Sequence, residues 1–135
     1  MSNKGAIMPV AMDWETPERK IIRVTFLGEW DVDDIHRMIT KRNSMMECVN
    51  HPVHQILDMT ASTSSPSNLL SVTSRAELPP NKMGSLVIVV NASNYLKSVA
   101  KIMRRLSPRL FEHIYSVDSI DEAYAKIAEV FGQPV

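Results

Sequence analysis

The sequence predicts an α/β fold, a β-hairpin followed by β-α alternation around a mostly parallel mixed sheet of about five strands with about four helices. Three observations predict it. Leu86 to Val90 is a continuous aliphatic run, the signature of a strand covered on both faces. Val32, Ile35, Met38, Ile39, Met45, Met46 and Val49 recur at helical spacing behind the acidic start Asp31. From there to the end, strand-like and helix-like segments alternate, which calls for parallel strands joined by crossover helices.

Met8 to Trp14 and Arg19 to Gly28 read as two strands joined by a polar, proline-containing turn, Glu15 to Glu18. In the second, Ile22, Val24 and Phe26 share one face while Ile21, Arg23, Thr25 and Leu27 share the other. Asp31 is placed to cap the first helix, with Asp33 and Asp34 in its positive first turn, and His51-Pro52 closes it. Val53 to Met59 is the third strand. Leu69 to Leu78 reads as a weak helix, because Ser71, Thr73 and Ser74 are poor interior residues; Pro79 and Pro80 end it. Ser85 to Asn91 is the fourth strand. A helix from about Ser93 to Leu106 is expected to turn Leu96, Val99, Ile102, Met103 and Leu106 inward, and Glu112 to Val117 is a short fifth strand. Ser119 to Glu122 form a capping box for a last helix that ends near Phe131, with Gly132 as its stop.

At 135 residues the chain is expected to be one domain, 1–135, with a single core and no repeat, linker or low-complexity segment. With 44% hydrophobic and 22% charged residues it is globular rather than disordered. Fifteen basic residues balance fifteen acidic ones, so there is no global pull toward nucleic acid or an anionic membrane. The longest aliphatic run is far short of the ~20 residues that span a bilayer, and no apolar signal core follows Met1 to Gly5. The single cysteine, Cys48, fits a reducing compartment, and a cytoplasmic setting is expected. Its place near the apolar stripe of the first helix makes it a core or half-buried thiol.

The functional edge is expected where the third strand ends. In an open α/β sheet, ligands and partners gather outside the carboxyl ends of strands. There Asp58 closes an apolar run, and six of the eight residues from Thr60 to Ser67 carry a hydroxyl. Asp58 is expected to order this loop by accepting backbone N–H bonds. The loop has three readings: a phosphorylation site at a helix start, a hydroxyl-lined anion site, or a polar connection in which Ser65 caps a helix with Pro66 at its first position. The regulatory or partner-binding loop then comprises Asp58, Thr60, Ser62, Ser65, Ser67 and Asn68.

Lys97, Lys101, Arg104 and Arg105 fall on neighbouring parts of one helix surface, with Arg109 beyond. They read as a solvated cationic face, or as steering for an acidic partner, a phosphate or a lipid head group. No interleaved aromatics accompany them, which disfavours nucleic acid. His51 and His54 are separated by Pro52 and joined by no carboxylate cluster, so no metal site is expected. No glycine-rich loop follows a strand, and no nucleophile elbow organises the serines, so neither a nucleotide site nor a hydrolase is expected.

Three segments in order resemble the SpoIIAA-like, or STAS-like, group: Phe26-Leu27-Gly28-Glu29-Trp30 before an acidic helix start, Ile56-Leu57-Asp58-Met59-Thr60 at a strand end, and Ser116-Val117-Asp118-Ser119-Ile120-Asp121-Glu122-Ala123 before the last helix. The resemblance covers roughly residues 7 to 131. That group includes anti-sigma factor antagonists and small bacterial proteins. In the antagonists, an Asp-hydrophobic-Ser strand end leads to Asp-Ser-Ser-Gly, whose second Ser is phosphorylated by a partner kinase. Here Asp58-Met59-Thr60 matches the strand end, but the helix start reads Pro66-Ser67-Asn68-Leu69. Ser67 matches the first Ser, and Asn68 stands at the phosphoacceptor position. The resemblance implies a non-enzymatic regulatory module without cofactor, partnered by another protein, with Ser67 the remaining phosphorylation candidate. The alternative is a carrier or sensor of a small apolar or anionic molecule or lipid.

Overall fold

The computed structural model describes residues 9–15, 17–64, 66, 86–106 and 114–131. In chain order the elements are β1 (Val10–Trp14), β2 (Ile21–Phe26), β3 (Gly28–Glu29), α1 (Val32–Glu47), β4 (His54–Asp58), β5 (Ser62–Ser64), β6 (Val87–Val90), α2 (Asn94–Leu106), β7 (Ile114–Val117) and α3 (Ile120–Phe131). The expected helix Leu69 to Leu78 lies outside the described residues, as do Ser65, Ser67 and Asn68.

Left-handed backbone at Arg19 and Gly28, φ 57° and 61°, trims the expected second strand at both ends. Gly28 takes that conformation without steric cost, and its N–H is redirected to Ala61 O at 2.9 Å. Glycine thus splits off β3, which pairs in parallel with β5. The stretch after Thr60, expected to be loop throughout, therefore contains a strand.

The main sheet runs β1-β2-β4-β6-β7, with β1 antiparallel to β2 and every other pair parallel. β1 and β7 are its edges. On each, a helix cation covers a backbone carbonyl: Lys41 Nζ donates to Met12 O at 3.2 Å, and the Arg104 guanidinium donates to Ile114 O. Such cations blunt edges that would otherwise pair with other chains.

Two cores lie on opposite faces of this sheet. Ile22, Val24 and Phe26 pack with Ile35, Met38, Ile39 and Met46 of α1 and Val99 of α2. Ile21, Ile56, Leu86, Ile88 and Val90 pack with Ala123 and Ile127 of α3. The alternation read from β2 is borne out, and so is the double cover of the aliphatic run, since Val89 belongs to the first core and Ile88 to the second. Asp31 caps α1 as expected: its Oδ1 accepts from Asp34 N, while Asp34 Oδ2 accepts from Asp31 N, each at 2.9 Å. Ser119 Oγ accepts from Glu122 N at 3.1 Å and opens α3.

Two expectations are corrected. Cys48 is exposed, because α1 ends at Glu47 and the chain turns there; its Sγ lies 3.3 Å from Ser44 O. Ile102 and Leu106 do not face inward: they are 42% and 66% exposed, and Val99 is the buried residue of α2. No helix among the described residues is long and apolar enough to cross a membrane.

Candidate functional site at the carboxyl edge of the sheet

Asp58 is the last residue of β4 and 7% exposed. Its Oδ1 accepts from Thr60 N at 3.0 Å, the loop-ordering bond expected of it. Its Oδ2 accepts from Arg23 Nη2 at 2.9 Å, which the local sequence did not reveal. Arg23 also lies 3.7 Å from Glu15 Oε2. Burial works against the charged form of Asp58, but hydrogen bonds from Thr60 and Arg23 prevail and hold the carboxyl below its usual range. The same pairing raises Arg23. Next to them, burial and then a hydrogen bond with Glu15 push the Tyr124 phenol up to about 12. Asp58 is thus held as a carboxylate and, through Arg23 and Thr60, anchors this edge of the sheet.

Past Asp58 the chain is held from several sides. Met59 N donates to Val90 O at 2.9 Å and Ser62 N to Met59 O at 3.0 Å. Asn91, in left-handed backbone with φ 58° directly after β6, donates from Nδ2 to Thr60 Oγ1 at 2.8 Å and from its backbone N to Val117 O at 3.0 Å. Asn is among the few side chains that enter this region readily, which suits it to tie the ends of β4, β6 and β7 together. Trp30, buried against Phe26 with ring centroids 4.8 Å apart, donates from Nε1 to Ser62 Oγ at 2.8 Å. Thr60, Ala61 and Thr63 are left exposed on this fixed frame.

Between this loop and α2 lies an open cavity of about 320 Å³, lined by Met59, Ser62, Thr63, Asn91, Ser93, Tyr95 and Leu96. Ser93 caps α2, its Oγ accepting from Leu96 N at 3.2 Å, and Tyr95 Oη donates to Pro66 O at 2.8 Å. The structure thus brings Asp58, Thr60 and Ser62 together and adds Asn91, Trp30 and Ser93, which the sequence reading did not single out. Lys97, Lys101, Arg104 and Arg105 are all exposed and run away from this edge along α2.

His51 and His54 do not cooperate. His51 Nδ1 lies 3.0 Å from Pro52 O. His54 is buried in β4, and its Nδ1 accepts from Leu86 N at 3.1 Å. Among the described residues no group of three or more His, Cys, Asp or Glu is placed to hold a metal ion.

Trp30→Phe isolates the contribution of the loop anchor. It keeps an aromatic ring against Phe26 but removes the bond to Ser62, and is expected to cost about 1–2 kcal/mol. Urea unfolding measures that cost, and hydrogen exchange should show faster opening at Ser62 and Thr63. Unchanged exchange there would show that Trp30 does not hold the loop.

A five-stranded, mostly parallel sheet with α1 and α2 on one face and α3 on the other is the SpoIIAA-like fold. Among solved structures the chain is similar to the anti-sigma factor antagonist SpoIIAA in its unphosphorylated form, with a TM-score of 0.55 and 15% identity over 91% of this chain and 100% of that one. The likeness is one of fold. Neither a family model nor a curated protein matches the sequence.

Proposed function

We propose that the chain is a non-enzymatic regulatory module whose protein partner docks on the carboxyl edge of the sheet, at the loop after β4 and the start of α2. The observation that carries this reading is the fixed frame of that edge. Bonds from Arg23, Trp30, Asn91 and Gly28 pin the loop, while Thr60, Ala61 and Thr63 face solvent. A surface ordered before binding loses less entropy on docking. The commitment of Asp58 to Arg23 and Thr60 supports a binding role over catalysis. Regulation belongs to the same reading: phosphate at Ser67 would add negative charge to the segment that follows the docking loop in sequence. A bacterial cytoplasm is the setting in which such a module would act.

The test is a photo-crosslinking residue placed at Ala61 or Thr63 in the native cell, with Glu129 on α3 as the control position. A discrete protein adduct is expected at Ala61 and Thr63 and not at Glu129. Equal adducts at all three positions, or none at the two loop positions, would overturn the reading. Phosphopeptide mapping of the same material reads Ser67 directly.

The cavity of about 320 Å³ favours a second reading, a small anionic or apolar ligand held among Ser62, Thr63, Asn91 and Tyr95. Native mass spectrometry of the purified protein separates the two. A retained small mass that disappears in Asn91→Ala supports the carrier, and a bare chain supports the docking module.

A further inference from the structure

Three of the large apolar side chains that the described residues leave exposed sit on α2: Tyr95 at 40%, Ile102 at 42% and Leu106 at 66%. At about 100° per residue they fall within about 40° of one another, forming one stripe along the helix. Val99, Leu96 and Met103 come next around the helix and pack on the sheet, so the stripe runs along a flank of α2. Lys101 and Arg105 are exposed on its solvent side, with Lys97 and Arg104 behind them. From Asn94 to Leu106 the helix carries these four cations and no carboxylate. In a chain whose formal charges cancel, that is a local field of one sign.

We propose that this flank docks an acidic amphipathic helix of a protein partner, laid alongside α2. Side chains at i, i+7 and i+11 form the seam of a helix–helix contact, and the adjoining cations select carboxylates on the facing helix. An anionic lipid surface is the competing occupant and fits less well. An interfacial helix sinks the centre of its apolar face into the membrane, whereas the centre of this one, at Val99, Leu96 and Met103, is committed to the sheet. The surface is separate from the loop after β4 except at Tyr95, which borders the cavity there. The test therefore leaves Tyr95 intact.

The experiment is selection of displayed, helix-forming random peptides on the immobilised full chain. Enriched sequences should combine a single apolar stripe with net negative charge. A synthetic peptide of that consensus should bind about tenfold or more weakly to Ile102→Glu and to Lys101→Glu/Arg105→Glu, and its binding to the native sequence should fall with salt. The substituted residues are exposed, so melting should stay near that of the native chain; were Ile102→Glu to melt lower, the double charge reversal decides alone. Enrichment of neutral or basic peptides, equal binding to the double variant, or co-sedimentation with phosphatidylserine vesicles without acidic-peptide enrichment would overturn the proposal, the last in favour of lipid.

Discussion

Ile88→Asp is expected to abolish the cooperative fold. Ile88 is fully buried in β6, between β4 and β7, and faces the core that Ile21, Ile56, Ala123 and Ile127 share. Losing the aliphatic side chain there costs on the order of 2–5 kcal/mol, and a carboxylate with no partner costs several more. The sum rivals the whole stability of a small domain, roughly 5–15 kcal/mol. Far-UV circular dichroism and urea unfolding should show a non-cooperative or insoluble chain. The neighbouring Val89→Asp gives the direction: Val89 faces the opposite core and is only half-buried, so its carboxylate reaches water and the loss is smaller. A Val89→Asp variant less stable than Ile88→Asp would reverse the assignment of faces.

That pair of neighbours also shows how far the sequence could be read. A doubly covered strand is legible in Leu86 to Val90 because hydrophobic residues on both faces leave no polar alternation. The start of α1 is legible because capping is local chemistry, complete within Asp31 to Asp34. The β3–β5 pair is not legible. It joins two- and three-residue strands of Gly, Glu, Ser and Thr, and what positions it is the left-handed Gly28 and the reach of Trp30 to Ser62.

Ile102 and Leu106 turn outward for geometric reasons. Periodicity shows that an apolar face exists but not how much of it meets the sheet. At ~1.5 Å per residue α2 is about 20 Å long, while a four-residue strand such as β6 spans about 13 Å. The last turn, with Leu106, outruns the strand it follows, whereas Ile102, in mid-helix, is outward because it lies about 90° around α2 from the centre of the sheet-facing Leu96, Val99 and Met103. Arg42 shows the converse. It lies on the buried stripe of α1 at 4% exposure, donates to Asn43 Oδ1, and burial draws its guanidinium down to about 10. An apolar-residue count passes over such a position.

At the site, the backbone bond accepted by Asp58 was legible because it closes within two residues. Its pairing with Arg23, 35 positions away, was not, because it depends on the parallel register that sets Arg23 opposite Ile56 and Thr25 opposite Asp58. Asn91 carried a weak signal, an amide side chain directly after an aliphatic strand, where left-handed backbone is needed.

Lowering the pH from neutral should destabilise the protein first through His54, well before the carboxylates are protonated. His54 is buried, its Nδ1 accepts the Leu86 N–H, and burial holds its pKa down to about 4, against 6.5 in an unfolded chain. Below pH 6.5 the unfolded chain takes up a proton that the folded chain refuses. The stability contributed by neutral His54 is therefore complete above pH 6.5 and is lost progressively as pH falls toward 4, to a total of roughly 3 kcal/mol. Asp58 has the same sign in a lower window. Its folded pKa is depressed from 3.8, so its contribution is present above that value and fades as pH falls further. Urea unfolding at a series of pH values should thus show a decline that begins above the carboxylate range. His54→Asn, which offers an amide oxygen to the Leu86 N–H and does not titrate, should be less stable at pH 7 because of lost packing, yet much flatter between pH 6.5 and 4. A wild-type curve already flat across that window, or an imidazole titrating near 6.5 by NMR, would mean that His54 is solvated and does not serve as the neutral acceptor between β4 and the start of β6.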